Sequence, residues 1–228
     1  MGWRVNKGAI QVSKGLLFPI TVIVTVSLGG CTIFPKHEPL RVMDLSPQEH
    51  SYQASATKPY SLRVDTPYAS EPFNSTRILV KPNVLEFRIY EGVRWRDTAP
   101  VIVRDVLVQA IRASNGFKYV VSDTSPAATD LSLITELTGF HTEHHSGNAS
   151  AVIQLHSWIL DGHSRSTLCA NSFSISQPLA GTAIEQVVEG FSKAGAMLSD
   201  SVSEWAAGCN QPATPGKDQA RPPSDTNP

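Results

Sequence analysis

The sequence predicts an α+β domain: a mainly antiparallel sheet with two helices packed on one face. Several segments alternate apolar and polar side chains, as strands with one buried face do. Two further segments place apolar residues three and four positions apart, which is the spacing of an amphipathic helix. Neighbouring strands joined by short polar links pair most simply in antiparallel order. The 228 residues suffice for one such domain with a substantial core.

The predicted strands come mostly from alternation bounded by turn residues. In the third of them Leu85, Phe87 and Ile89 fall on one face, and Glu86 and Arg88 fall on the other. Pro82 is expected to end the second strand, since proline cannot donate a ladder hydrogen bond. The strands are predicted at residues 40–45, 77–80, 84–90, 117–121, 131–140, 149–160 and 165–176.

Both helices carry recognisable start and stop signals. The first is predicted to begin at Asp97-Thr98-Ala99-Pro100, where Asp97 or Thr98 caps free N–H groups, and to end at Asn115-Gly116. For the second, Thr182 and Glu185 form a predicted capping box, and Gly208 marks its end. The apolar stripe of the second helix consists of Ile184, Val187, Val188, Phe191, Ala194, Leu198, Val202 and Trp205.

The N-terminus has the pattern of a secretory signal peptide. Three basic residues and no acidic residue precede an apolar segment at 16–28, which is shorter than the roughly 20 residues of a membrane-spanning helix. Leu28-Gly29-Gly30-Cys31 then resembles the bacterial lipoprotein box, in which cleavage frees the cysteine for acylation. We therefore expect cleavage of residues 1–30 and lipidation of Cys31. The alternative is an uncleaved helix with an incidental cysteine.

Composition suggests three regions after the signal peptide. Residues 31–75 are rich in Pro, Ser, Thr and His and are predicted to be a lipidated tether, whose early strand at 40–45 joins the domain. Residues 76–209 are predicted to form the α+β domain. Residues 210–228 contain almost no apolar side chain and are predicted to be disordered.

Charge and cysteine content narrow the functional classes. The formal net charge is −1, and removal of the three basic residues before position 31 leaves about −4 (−1 − 3). No basic stripe with interleaved aromatic residues is present, which argues against nucleic acid as a partner. With Cys31 acylated, Cys169 and Cys209 remain as a possible disulfide of an exported protein. Two buried thiols are the alternative.

The residues that could carry chemistry form no known catalytic or cofactor pattern. There is no glycine-rich phosphate loop and no Gly-x-Ser-x-Gly nucleophile elbow. We therefore predict no catalytic residue, no cofactor and no enzymatic activity. Histidine and carboxylate side chains could ligate zinc, but their spacing matches no zinc pattern, so we predict a polar turn and no metal site. The cluster comprises His141, Glu143, His144 and His145, with His156 and His163 nearby.

The segment from Tyr90 to Pro100 offers a candidate partner contact. Trp95 lies between Arg94 and Arg96 in a glycine-containing loop, and tryptophan and arginine are enriched at interface hot spots. In the alternative interpretation Trp95 folds back onto the core between sheet and helix. Residue types alone favour that alternative.

The same segment resembles the ABC-type transport auxiliary lipoproteins. The lipoprotein box, the early strand, the strand at 131–140 and a last helix closing on Trp205 follow in the order of that family. The resemblance spans about Cys31 to Gly208. The matching positions are Tyr90, Trp95, Pro100, Leu107, Ala110, Ile111, Ser114, Gly116 and Phe117.

The resemblance implies a non-enzymatic component of a phospholipid transport system. Such lipoproteins dock mammalian-cell-entry (MCE) domain proteins, which work with a permease and an ATPase, at the outer membrane. It implies a periplasm-facing outer-membrane location through the acylated N-terminus, for which Thr32, in place of an aspartate, also argues. A homo-oligomer is possible. On the residue types of the loop, we predict that the partner-binding residues are Tyr90, Arg94, Trp95, Arg96 and Pro100.

Three alternatives stay open at this point. The first is a module that itself binds lipid, which needs an apolar cavity between sheet and helices. The second is an assembly or chaperone lipoprotein for lipopolysaccharide export or cell-wall synthesis. The third is a hydrolase, against which the lack of an evident nucleophile–base pair argues.

Overall fold

The computed structural model describes Gly2 and residues 39–46, 48–145 and 148–209. The described fold begins at Pro39. Apart from Gly2, the predicted signal peptide at 1–30 lies outside the described residues, as do Cys31 and the predicted disordered tail at 210–228. These features therefore stay predictions.

Over the described residues the chain forms nine strands and two helices, which confirms the predicted α+β class. The strands are β1 (Arg41–Met43), β2 (Lys58–Val64), β3 (Leu79–Asn83), β4 (Glu86–Ile89), β5 (Val93–Trp95), β6 (Phe117–Ser122), β7 (Leu131–His145), β8 (Asn148–Asp161) and β9 (Thr167–Pro178). The helices are α1 (Ala99–Ala113) and α2 (Ile184–Gly208).

The longest strands, β7, β8 and β9, form an antiparallel meander, as their short links predict. The other edge of β7 carries two shorter strands in parallel: β2 beside its first half and β3 beside its second half. Strand β6 extends the sheet from β2, and β4 extends it from β3. Strands β1 and β5 form a separate parallel pair. Strand β9 is therefore one edge of the large sheet. At the other edge, β4 is the outer strand beside β3, and β6 is the outer strand beside β2.

One strand of the large sheet, β2, lies within the segment predicted as a tether. The side chains of Leu62 and Val64 in β2 are fully buried. Both neighbours of β2 follow it by more than 50 residues in sequence and pair with it in parallel. Such pairing leaves no short-range signal, unlike a hairpin. The boundary predicted at residue 75 does not separate tether from domain, since the described fold begins at Pro39.

Strand β3 also differs from its prediction, because it continues through Pro82 to Asn83. Its pairing with β7 is limited to Val80 and Lys81, and its register with β4 shifts between Val80 and Asn83. The missing N–H of Pro82 therefore falls where the ladder is already irregular, a position at which proline is tolerated.

The helix boundaries agree with the sequence signals, whereas the expected side-chain caps do not form. Thr98 is the N-cap of α1, but no side chain caps the helix, and Asp97 accepts a hydrogen bond from the Thr98 N–H. The N-cap of α2 is Ala183, so the predicted capping box is absent. Instead Glu185 accepts a hydrogen bond from the Arg41 guanidinium at 2.6 Å, which ties α2 to β1.

The two helices pack against each other and against the sheet. Helix α1 contacts β2 and β6, and α2 contacts β8 and β9. Contacts around Gly195 of α2 are of ordinary van der Waals length, since an added Cβ there would lie 3.6 Å from Leu45 and 3.7 Å from Val106. The core beneath the helices includes Leu62, Leu133 and Ile153, each at most 1% exposed.

A disulfide joins Cys169 of β9 to Cys209, which caps the C-terminus of α2. The two Cα atoms lie 6.1 Å apart, and 40 residues separate them in sequence. Of the two alternatives left open by the sequence, the structure contains the bonded pair. The bond fastens the last turn of α2 to the edge strand of the sheet.

Replacing both Cys169 and Cys209 by alanine is expected to lower the free energy of unfolding. For a loop of this length the chain-entropy model gives about 4 kcal/mol, because the unfolded chain regains freedom. Urea unfolding monitored by circular dichroism would measure the loss, with reduced and oxidised wild-type protein as controls. Equal stability of the oxidised wild type and the variant would contradict the prediction.

Candidate partner-binding site

Trp95 lies in the domain core, as the alternative favoured by residue types predicts, and this corrects its inclusion among the exposed partner-binding residues. Its side chain is 0% exposed, and its ring meets those of Phe140 and Phe191 edge-on, with centroids 5.6 Å and 5.4 Å away. Phe140 and Phe191 stack on each other at 4.7 Å. Trp95 therefore joins β5 to β7 and α2. Pro100 is buried in the first turn of α1, so it too offers no surface to a partner.

Backbone hydrogen bonds explain why Trp95 points inward. The Trp95 N–H donates to the Thr76 carbonyl at 2.8 Å, and the Arg96 N–H donates to the Met43 carbonyl at 2.8 Å. Strand β5 is thus held between the chain preceding β3 and β1. Side chains alternate along a strand, so Arg94 and Arg96 lie on the face opposite Trp95.

The remaining residues of the predicted contact are partly or fully exposed. The Tyr90 hydroxyl lies 3.4 Å from the Thr142 hydroxyl at the edge of the core. Arg94 donates to the Trp95 carbonyl at 3.0 Å and is half-buried. Arg96 is exposed. Contact of Tyr90, Arg94 and Arg96 with a partner stays a prediction.

Arg96 belongs to a network of alternating charges. It donates to Asp44 and to Asp105, both at 2.7 Å. The hydrogen bond to Asp105 raises the pKa of Arg96 above its ordinary value; burial opposes this, and Asp44 adds to it. Arg104 continues the network from Asp105 to Asp123. The network links the segment after β1, the start of α1 and the end of β6, so Arg96 has a structural partner on each side.

A cavity of about 220 Å³ lies beside this network, between the segment after β1 and the two helices. Its lining includes Asp44, Arg96, Asp105 and Ser192. The lining also includes the apolar residues Leu45, Ile102, Val106 and Ala196. Charged groups among them do not suit an acyl chain, which an internal lipid site would have to enclose in a mainly apolar cavity. This cavity therefore gives no support to the lipid-binding alternative.

The predicted histidine cluster is dispersed. His141 is 4% exposed and packs against Phe73 and Phe87, whereas His144 is exposed. The side chain of His145 lies outside the described residues. Within those residues no group of three or more potential metal ligands occurs. His156 donates to or accepts from the Ser172 hydroxyl at 2.7 Å.

The structure shows two surface features that the sequence-based prediction of the site did not include. One is the edge strand β9, whose residues are mostly exposed or half-buried and which pairs, among the described residues, with β8 alone. Its 12 residues include no charged side chain. This lack of charge could have been noticed in the sequence. The other is the β3–β4 hairpin, where Val84 and Leu85 are 84% and 93% exposed.

A comparison with known protein families finds a match over most of the described domain. A sequence model of the ABC-type transport auxiliary lipoprotein component family matches residues 44–203. The chain belongs to this family. It is therefore an envelope-associated lipoprotein that assists an ABC-type transporter. The resemblance seen in the sequence is confirmed. A comparison with curated proteins finds no match. Among the described residues no helix is both long and apolar enough to cross a membrane.

Solved structures share the fold of this auxiliary lipoprotein. Protein XCC0632 from Xanthomonas campestris, of the family named DUF330, is 20% identical and superimposes with a TM-score of 0.67. The match covers 73% of this chain and 94% of that protein. An uncharacterized protein, 14% identical, gives a TM-score of 0.59 over 74% of this chain and 99% of its own. At these identities the likeness concerns the fold alone.

Replacing Trp95 by alanine is expected to lower the free energy of unfolding by about 3–5 kcal/mol, because it leaves a cavity between β7 and α2. Chemical unfolding would measure the loss. Tyr68→Ala is the matched control, since Tyr68 is 70% exposed, and a change within about 0.5 kcal/mol is expected for it. A fully stable Trp95→Ala protein with weakened partner binding would instead restore the anchor interpretation.

His141 is expected to make the domain less stable in mild acid. Burial lowers the pKa of His141; Glu143 opposes this shift, and Lys81 adds to it. Below the unfolded-state pKa of about 6.5, the unfolded chain takes up a proton that folded His141 resists. The free energy of unfolding should therefore fall as the pH drops below about 6.5.

The His141→Leu variant should lose this part of the pH dependence, because leucine fills a similar volume and does not titrate. Urea unfolding of both proteins at pH 7.5 and pH 5.5 would compare them. Identical pH dependence of variant and wild type would exclude the proposed contribution.

Proposed function

We propose that this auxiliary lipoprotein docks a periplasmic MCE-domain protein to the outer membrane, as a non-enzymatic part of a phospholipid transport system. Its family membership supports the transport role. The lipoprotein box at Cys31 supports anchoring, and Thr32 supports the outer membrane. The MCE-domain protein works with a permease and an ATPase, so all three are expected partners.

The open edge of β9 is the observation that best supports docking. An edge strand presents unpaired backbone N–H and C=O groups, and natural proteins guard such edges with charges, short strands or proline. The two strands of the opposite edge follow this rule: β4 has four residues including Glu86 and Arg88, and β6 has six including Lys118. Strand β9 has 12 residues, no charge and a proline only at its last position.

The side chains of β9 suit strand addition by a partner. Phe173 and Ile175 are half-buried toward the core, and Phe173 packs edge-on against Trp205 of α2 at 5.8 Å. Ser172, Ser174 and Ser176 alternate with them and are exposed. The strand is thus held rigidly from one side and presents small uncharged side chains on the other. A partner strand can pair with it without displacing charge.

A crosslinked pull-down of the tagged protein from its native envelope tests the function. Mass spectrometry should recover an MCE-domain protein, with or without its permease and ATPase. Recovery of lipopolysaccharide-export or cell-wall machinery would instead support the assembly alternative. Recovery of the MCE-domain protein from an inner-membrane fraction would overturn the outer-membrane part of the proposal.

Lysines placed on β9 are expected to weaken this capture. Ser174→Lys combined with Ser176→Lys puts two charges on the proposed pairing edge, where they guard it against strand addition. The recovered amount of MCE-domain protein should fall about tenfold, equivalent to about 1.4 kcal/mol.

The matched control carries two lysines on an exposed loop away from β9, Ala127→Lys and Ala128→Lys. It should bind as wild type does. Both variants should also unfold at the wild-type temperature, since all four positions are exposed. Equal recovery with the β9 variant and the control would remove β9 from the docking surface.

A further inference from the structure

The β3–β4 hairpin ends in two apolar residues that contact little of the domain. Val84 is 84% exposed and Leu85 is 93% exposed. The turn is held in shape, because the Leu85 N–H donates to the Asn83 side chain at 3.0 Å and the Asn83 amide donates to Glu86 at 3.3 Å. A surface turn ordinarily carries polar residues, so this turn presents apolar side chains on a fixed frame.

The hairpin is joined to the rest of the sheet by only a short ladder. Among the described residues, β3 pairs with β7 only at Val80 and Lys81, and β4 pairs with β3 alone. Behind the turn, Phe87 and Ile89 remain 39% and 48% exposed and continue the apolar surface along one face. We call Val84, Leu85, Phe87 and Ile89 together the apolar tip.

The base of the hairpin is fixed while its end is free. The Phe87 ring packs edge-on against Phe73 at 5.6 Å and against His141 at 5.3 Å. On the other face Arg88 and Glu86 pair with each other at 2.7 Å. The charged groups thus lie behind the turn and satisfy one another, so they do not prevent the turn from entering an apolar phase.

The described chain enters the fold near the N-terminus of α2. Arg41, two residues after Pro39, pairs with Glu185 in the first turn of α2 at 2.6 Å. Helix α2 follows β9, and the last residue of β9, Pro178, pairs with Ser150 at the start of β8. The entry point therefore lies at the end of the domain where β7 turns into β8.

The apolar tip lies at this same end. Lys81 pairs in parallel with Glu143, near the end of β7, and Glu143 pairs with Ser150. Residues beyond Lys81 thus lie towards the end of the sheet where β7 ends and β8 begins. The tip and the point of chain entry share one end of the domain, and the β8–β9 turn marks the opposite end.

The covalent distance to the proposed anchor is short. Eight residue steps separate Cys31 from Pro39, and an extended chain spans at most about 3.3–3.6 Å per residue, or roughly 28 Å. With lipid on Cys31, a point that rests on the proposed function, this end of the domain stays close to the bilayer. Apolar side chains there are placed to reach its interfacial region.

We propose that the apolar tip inserts into the bilayer that holds the lipid anchor. The tip forms a second, non-covalent membrane contact and limits rotation of the domain about the anchor. Strand β9 then runs from Thr167 at the far end of the domain to Pro178 at the membrane end, so the docking edge extends away from the bilayer. Lys81 lies 5.5 Å from the centroid of the Phe87 ring, and Arg88 lies between Phe87 and Ile89. When Val84 and Leu85 enter the apolar phase, these two charges remain in the hydrated headgroup layer.

Depth-dependent fluorescence quenching tests this proposal on the full-length mature lipoprotein. The protein is reconstituted into liposomes of phosphatidylethanolamine and phosphatidylglycerol at about 3:1, a composition chosen for the assay. An NBD probe is attached through Leu85→Cys, and a matched protein carries it through His163→Cys in the β8–β9 turn. Labelling under non-reducing conditions leaves the Cys169–Cys209 bond intact.

The Leu85 probe is expected to show a blue-shifted emission and quenching by lipids that carry a nitroxide near the headgroup. The His163 probe should show neither. Adding Val84→Ser to the Leu85 probe protein should lower the ratio of inserted to free probe about tenfold, because an apolar contact is lost. Adding Met197→Ser, at a 48% exposed position on α2, should leave it unchanged.

Three outcomes would overturn the proposal, and they separate its failure from that of the anchor. Protein that co-floats with liposomes but leaves the Leu85 probe unquenched removes the inserted tip and retains the anchor. A blue shift without lipid quenching, rising with protein density in the bilayer, assigns the tip to contact with a second copy. Protein that does not co-float removes both the anchor and the insertion.

Discussion

The contact of Trp95 with Phe140 and Phe191 is the interaction on which the rest of the fold depends. It brings together three elements that are remote in sequence: β5, the middle of β7 and the first half of α2. Strand β1 reaches the domain through its pairing with β5. Loss of this aromatic contact would therefore loosen the N-terminal segment as well as the helix. The segment that suggested a partner anchor is first of all a structural junction.

The meander and the helices could be predicted because their determinants are local. The strands of the meander are joined by short polar links, and the stripe of α2 repeats every three or four residues. The place of β2 could not be predicted in the same way. Tyr60, Leu62 and Val64 do alternate with polar residues, as in a strand, but the partners β6 and β7 follow far downstream. The position of a parallel strand inside the sheet depends on such distant partners, and no short turn next to it in sequence indicates which strands it will pair with.

The candidate site could be predicted from the sequence only in part, because it too depends on how distant segments are arranged in the fold. The segment Tyr90–Pro100 correctly indicated the family. Within it Trp95 is buried, because side chains alternate along β5 and Arg94 and Arg96 lie on the opposite face. Pro100 is buried in the first turn of α1. Strand β9 gains its importance from being last in the sheet, and strand order is a property of the whole fold. The absence of charge from 167–178 was visible, but its meaning depends on knowing that this strand forms an edge.

The structure thus divides its tasks among different surfaces. The aromatic junction and the Cys169–Cys209 bond hold α2 against the sheet, and the charge network around Arg96 holds the segment after β1. In the proposed account, the β9 edge docks the partner protein, and the hairpin with Leu85 at its turn contacts the membrane. In this account Arg94 and Arg96, predicted as partner contacts, serve mainly to stabilise the fold.

The most direct test of this division is photocrosslinking in the native envelope. A photoreactive amino acid is placed at Ser174 on β9 in one strain and at Arg96 in another, and mass spectrometry identifies the adducts. The account predicts an adduct between position 174 and the MCE-domain protein. An adduct formed from position 96 and not from position 174 would contradict it, and would return partner recognition to the loop around Trp95.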